Sequence, residues 1–290
     1  MTYSIFKNDT ALVNNHLEFI KTVSVTDQML IPTTSYWSLQ KSITNLQGLT
    51  GFYFPLVGLS EADFSQFMPL LIFVEATIYQ FDEEYERHVD DPDFISPHML
   101  TLRDVLFQLN LFDEKIETEL FTNGLTYYRL EQQFCSGGSP TVEDIDKASL
   151  FKCFDFAILQ RILLKLTNQP YDEEFLQTCR LSDQICKICC DLRDYKEDIN
   201  RNVINTYRMF VRLYGAEAPQ HLRWYLESLN SKLQERLKLL EKTRPEIAKI
   251  FIELWMEDLK FEKMWNAETE SFAVPEIPEP ILEEGTTISQ

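Results

Sequence analysis

Leu181-Ser182-Asp183-Gln184-Ile185-Cys186-Lys187-Ile188-Cys189-Cys190-Asp191-Leu192-Arg193-Asp194-Tyr195-Lys196-Glu197-Asp198 is the stretch from which the rest of the chain can be read. Up to Cys190 it is largely apolar and reads as a buried helix. From Asp191 on it carries six charged residues and a tyrosine. At about 100° per residue, Asp191, Asp194 and Asp198 share one helical face. Carboxylates stacked in this way repel, so a solvated helix gains nothing from them. A hard cation between them makes the arrangement favourable. The alternative is an Arg193–Glu197 type i,i+4 salt-bridge ladder.

Working outward, the chain is dominated by long segments of helical apolar period, with only 8 glycines in 290 residues. Strand-type alternation is scarce, so the fold class is all-α. Helices are predicted over 10–22, 34–48, 60–90, 99–134, 143–168, 173–201, 202–214, 217–243 and 246–270. Pro69 is expected to split the third, whose main body then starts near Met68. Asp91-Pro92-Asp93 ends the same helix. Thr141 is a predicted N-cap with Asp144 at N3, and Gly215 marks a helix end. No internal repeat or linker divides the chain, which gives one helical domain over 1–272. A Pro/Glu-rich tail over 273–290 is expected to be extended or disordered.

The formal charge of −19 and pI near 4.6 argue against nucleic-acid or anionic-membrane binding. They also mean that an anionic substrate needs metal ions or local basic groups. No run of eighteen apolar residues is present, so no membrane insertion is expected. The N-terminus lacks a signal-peptide pattern. Four of the six cysteines fall on one predicted helix, a poor layout for a disulfide framework and one that points to reduced thiols in a cytoplasmic protein. Aromatic residues make up 13% of the chain, which fits either an aromatic-lined cavity or a thick helical core.

A second acidic cluster lies in Ile78-Tyr79-Gln80-Phe81-Asp82-Glu83-Glu84-Tyr85-Glu86. Asp82, Glu83 and Glu86 project within one arc, at a helix C-terminal end where the macrodipole opposes them. By itself this cluster also reads as a solvated face. The two acidic faces together suggest a Mg²⁺ cradle for a diphosphate. Lys187, Arg193, Arg201, Arg208 and Arg212 lie near enough in sequence for some of them to cap phosphate oxygens. Such a site would ionise an allylic diphosphate to a carbocation. The cation needs a dry pocket lined by π-faces.

These residues resemble a known family. Phe81-Asp82-Glu83-Glu84-Tyr85-Glu86 resembles the aspartate-rich motif of class I terpene synthases. Phe52-Tyr53-Phe54-Pro55 resembles the aromatic-proline element before it. Cys190-Asp191-Leu192-Arg193-Asp194-Tyr195-Lys196-Glu197-Asp198 resembles the second metal motif, Asn-Asp-x-x-Ser-x-x-x-Glu, with Cys190, Asp194 and Asp198 at its ligand positions. Asn202-Val203-Ile204 and Trp265-Asn266-Ala267-Glu268-Thr269-Glu270-Ser271-Phe272 are similar to the elements that follow. The chain departs from the pattern at Cys190, a poor Mg²⁺ ligand that Asp191 would replace. It also has Ser271-Phe272 where the family closes with Arg-Tyr. Lys147 or Lys152 stands in for the family's diphosphate-sensing arginine. Arg193-Asp194-x-x-Glu197-Asp198 also resembles squalene and phytoene synthases, whose Gly-Arg-x-x-x-Pro continuation is absent.

The resemblance implies an isoprenoid-synthase-type helical bundle around a central cavity. It implies a terpene synthase, a carbon–oxygen lyase that takes a prenyl diphosphate, expected to be farnesyl, and releases a terpene and diphosphate. Mg²⁺ is the implied cofactor, held by Asp82, Glu83 and Glu86 on one lip and by Asp191, Asp194 and Asp198 on the other. Asp82, Asp194 and Asp198 are the expected catalytic residues. Arg193, Lys147 and Lys152 are the expected diphosphate contacts. Phe54, Phe81 and Tyr79 are expected in or near the pocket. Two other readings stand beside it. One is a prenyltransferase on the same fold, which joins the cation to an amine or a second isoprenoid. The other is a non-catalytic helical binding protein. No nucleic-acid partner is expected, and a homodimer is compatible with the fold.

Overall fold

The computed structural model describes residues 34–88, 91 and 93–282. The helix expected over 10–22 and the end of the tail lie outside them. The described residues are mostly helical: α1 (Tyr36–Gly48), α2 (Phe64–Arg87), α3 (Pro97–Gln108), α4 (Leu125–Cys135), α5 (Val142–Phe151), α6 (Phe154–Leu166), α7 (Glu173–Arg201), α8 (Thr206–Tyr214), α9 (Ala218–Thr243) and α10 (Pro245–Phe261). No described helix is long and apolar enough to cross a membrane.

Local chemistry sets the helix ends. Ser35 caps α1 by accepting from the Ser38 N–H, while its own N–H donates to Gln80 on α2 at 2.9 Å. Thr141 and Asp144 form the capping box expected for α5. Asn202, at φ 54°, ends α7 in the left-handed region that Asn tolerates. Asn205 then caps α8, which stops at Gly215 with φ 57°. On α9, Leu222, Leu226, Leu229, Leu233, Leu237 and Leu240 are buried at spacings of three or four. That stripe packs α9 against α7, α8 and α10.

Several expected boundaries are corrected. Pro69 does not split α2, because it lies in the second turn and forfeits only the bond to the Ser65 carbonyl. The helix expected over 99–134 breaks after Gln108. Asn110 takes a left-handed conformation, and Asp113 restarts a helical turn by accepting from the N–H groups of Lys115 and Ile116. A π-helical stretch over Thr118–Gly124 follows before α4. The helix expected over 143–168 is interrupted at Lys152-Cys153. After Phe261 the chain forms a two-stranded antiparallel hairpin, β1 (Trp265–Asn266) with β2 (Ser271–Phe272), where a helix was expected to continue. Residues 273–282 have no regular secondary structure, yet they are tied down. Tyr207 donates to the Pro278 carbonyl at 2.6 Å, and the Ile281 N–H donates to Tyr195 at 3.0 Å.

The core between α2, α4 and α6 is aromatic. Phe81 stacks on Phe154 at 6.2 Å, and Tyr85 on Tyr128 at 4.1 Å. Full burial of such side chains contributes roughly 1.5–3 kcal/mol each. This wall joins the last turns of α2 to α4 and α6.

Candidate functional site

The last turns of α2 and the second half of α7 face a cavity of about 530 Å³. α1, α4 and the α5–α6 junction close it. Both acidic clusters contribute: Asp82 and Glu86 from α2, and Asp191, Asp194 and Asp198 from α7. Sequence reasoning missed two further carboxyl groups that line it, Glu131 on α4 and Asp155 on α6. The cations facing it are Lys41, Lys152, Lys187 and Arg201. Seven carboxyl groups against four cations leave a formal excess of three negative charges. Tyr79, Tyr127, Tyr128, Phe154 and Phe156 supply aromatic surface.

The geometry separates the carboxylates by role. Asp191 is buried, with both oxygens engaged: Oδ1 accepts from Lys152 Nζ at 2.5 Å and Oδ2 from the Thr206 N–H at 2.8 Å. It therefore joins the start of α8 and the α5–α6 junction to α7, and the oxygens expected to hold a metal are engaged by protein donors here. Asp198 accepts from Asn205 Nδ2 at 2.8 Å through Oδ2 only. Asn205, fully buried, also donates to the Asp191 carbonyl at 2.7 Å and so positions the lip of the cavity. Asp194 is exposed at the rim. Across the mouth, Arg201 pairs with Glu86 at 3.3 Å.

Burial raises several of the cavity's acids. Burial pushes Asp82 up, Asp155 adds to it, and Lys41 and Lys152 pull it back. Burial and then Asp82 raise Glu86, and burial raises Asp198 against the Asn205 hydrogen bond. Glu131 is pushed to about 8 by burial and by Asp82. Lys152 stays charged, because Asp191 and Asp198 outweigh the burial that opposes its charge. The site thus holds ionisable oxygens that added positive charge would stabilise.

Five of the expected residues do not line this cavity. Glu83 pairs with Arg87 on α2 at 2.6 Å, the i,i+4 pair of a solvated face. Lys147 is exposed and pairs with Glu143 at 2.7 Å, so of the two candidate lysines only Lys152 reaches the site. Arg193 points to Glu262 and to Cys190 Sγ, which also means that the Arg193–Glu197 ladder does not form. Phe54 and Phe81 are fully buried in the core, so only Tyr79 of the three expected aromatics lines the cavity. The break at Lys152-Cys153 was the feature hidden from sequence. It aims Lys152 and Asp155 at the space between α2 and α7.

The donor set suits Mg²⁺. Among the described residues, no group of three or more His, Cys, Asp or Glu side chains is assembled as a metal cage. Mg²⁺ seldom uses such cages. It binds through one or two carboxylates and completes its shell with water and substrate phosphate. Asp82 with Glu86, and Asp194 with Asp198, offer hard oxygens in pairs. Comparison with protein-family models, curated proteins and solved structures finds no match to this chain.

Proposed function

We propose that this protein is a Mg²⁺-dependent class I terpene synthase of the isoprenoid-synthase type. It ionises a prenyl diphosphate and releases a terpene and diphosphate. One observation carries the proposal: acidic side chains from opposite halves of the sequence, Asp82 and Glu86 on one side and Asp194 and Asp198 on the other, line a single aromatic cavity of about 530 Å³. That volume lies within the ordinary range of small-molecule sites, roughly 300–1,000 Å³.

When bound, Mg²⁺ supplies Lewis-acid neutralisation of the leaving diphosphate. Asp82 and Glu86 would hold it at one lip, and Asp194 and Asp198 at the other. Lys152, Lys187 and Arg201 present donors to phosphate oxygens at neutral pH. Tyr79, Tyr127, Phe154 and Phe156 exclude water and turn π-faces to the developing cation.

The charge excess favours a second reading. A cavity with more carboxylates than cations suits a protonated amine, which would attack the cation once a cavity carboxylate has taken its proton and would make the enzyme a prenyltransferase with an amine acceptor. Incubation with geranyl or farnesyl diphosphate and Mg²⁺ separates the two. Diphosphate and a volatile terpene without added acceptor support the synthase. Diphosphate release only with an amine present supports transfer. No release under either condition overturns both.

A further inference from the structure

A smaller chamber of about 180 Å³ adjoins the main cavity. The two share Asn45, Gly48, Phe156, Lys187 and Cys190 as walls. The chamber lies toward the Asp183 end of α7, and the acidic lip toward the Asp198 end. Its surface is largely apolar, with Phe52, Tyr53, Phe156 and Trp255 around it. Phe52 meets Tyr53 edge-on at 5.2 Å, and Tyr53 lies 5.9 Å from Phe156.

Polar side chains reach into this surround, Lys187 and Asp258 among them, and Asp183 is held there by two donors. Asp183 accepts from the Tyr53 hydroxyl through Oδ1 and from Gln160 Nε2 at 3.1 Å through Oδ2. Both partners are donors, so the arrangement is drawn for a carboxylate. Burial, reinforced by Asp155, pushes Asp183 to about 7 against these two hydrogen bonds, which makes it a base matched to neutral pH. Asp258 also lines the chamber and is pushed to about 6 by burial and by Glu262. Trp255, another wall residue, has a buried indole N–H with no acceptor among the described residues. Apolar voids stay dry, but a void with several polar groups fills. At about 30 Å³ per water, this one has room for a few molecules.

We infer that the chamber holds the water that ends the reaction, with Asp183 as its general base, so that the product is a terpene alcohol. This rests on the prenyl-diphosphate reading above and specifies its outcome. A lone pair of the water oxygen forms the C–O bond to the cationic carbon. One water O–H bond breaks, and its proton passes to the Asp183 carboxylate. The alcohol leaves neutral and Asp183 is left protonated. Tyr53 and Gln160 are positioning residues that hold the carboxylate toward the chamber.

The test uses the full chain with farnesyl diphosphate and Mg²⁺ in H₂¹⁸O, with diphosphate release and product mass both measured. The wild type is expected to yield an ¹⁸O-labelled alcohol. In Asp183→Asn, alcohol formation should fall by roughly 100-fold, with hydrocarbon in its place and diphosphate release within about threefold of wild type. Tyr53→Phe keeps the base but loses its positioning bond, so it should lower the alcohol fraction to an intermediate level. It serves also if the Asp183 variant fails to fold. A wild type that releases diphosphate and only unlabelled hydrocarbon overturns this inference alone. An unchanged alcohol fraction in both variants does the same. A wild type that releases no diphosphate overturns the proposed function, and this inference with it.

Discussion

Lys152 Nζ lies 2.5 Å from Asp191 Oδ1, and this pair ties the α5–α6 junction to the centre of α7. Both groups are largely withdrawn from solvent, with side-chain exposures of 24% and 3%. Removing one partner of such a pair leaves an uncompensated buried charge. Lys152→Met should therefore destabilise the protein by about 3–5 kcal/mol in urea denaturation at pH 7. Lys147→Ala should leave both the denaturation midpoint and the activity unchanged, since Lys147 only pairs with exposed Glu143. A Lys152 variant as stable as wild type would show that Asp191 is solvated.

Asp198→Asn tests the acidic lip. Asn can still present an oxygen to Asn205 Nδ2, and it removes repulsion from Asp191 and Asp194. The ligand-free melting temperature should stay the same or rise, while diphosphate release should fall by at least about 100-fold. Full activity in this variant would rule out Asp198 as a metal ligand.

Mg²⁺ and diphosphate together should stabilise the fold. At a hundredfold excess over Kd the gain is about 2.7 kcal/mol, readable as a rise in melting temperature that either component alone does not give. Glu86→Gln should reduce it, because Glu86 must leave Arg201 to serve a metal. Lack of any shift in the wild type would count against every catalytic reading.

Glu75 offers a pH test outside the metal lips. It is fully buried on α2, where Asn45 donates to Oε1 and Oε2 has no partner among the described residues. Burial, reinforced by Asp155, pushes it to about 8 from an ordinary 4.5. The folded state therefore binds this proton more tightly than the unfolded state. The associated stability is fully present below about pH 4.5 and is lost as pH rises through 8. Glu75→Gln removes that titration, so the variant should gain on wild type in melting temperature between pH 5 and 8. A gap that does not vary with pH would mean that Glu75 ionises normally.

Much of the site was legible in the chain. The spacing of Asp191, Asp194 and Asp198 placed them on one face, and α7 carries all three to one cavity. The same periodicity placed Asp82 and Glu86 together. It overreached at Glu83, because an arc of about 100° is wider than the part of α2 that faces the cavity. Glu131, Asp155 and Lys41 carry no local signal, since each is one polar residue on an otherwise amphipathic helix.

Apart from the breaks after Gln108 and at Lys152-Cys153, the chain alone set the helical class and which carboxylates share a helical face. Those properties depend on the period of the backbone and on short-range caps such as Thr141 with Asp144. Only the tertiary structure decided which acids remain open to a ligand. Asp191 and Asp194 are equivalent on a helical wheel, yet Asp191 is closed off by Lys152 and the Thr206 N–H while Asp194 reaches the rim. The difference arises from the break at Lys152-Cys153 and the turn at Asn202–Asn205. Both bring groups distant in sequence against one side of α7, and helical periodicity holds no information about what packs on a face.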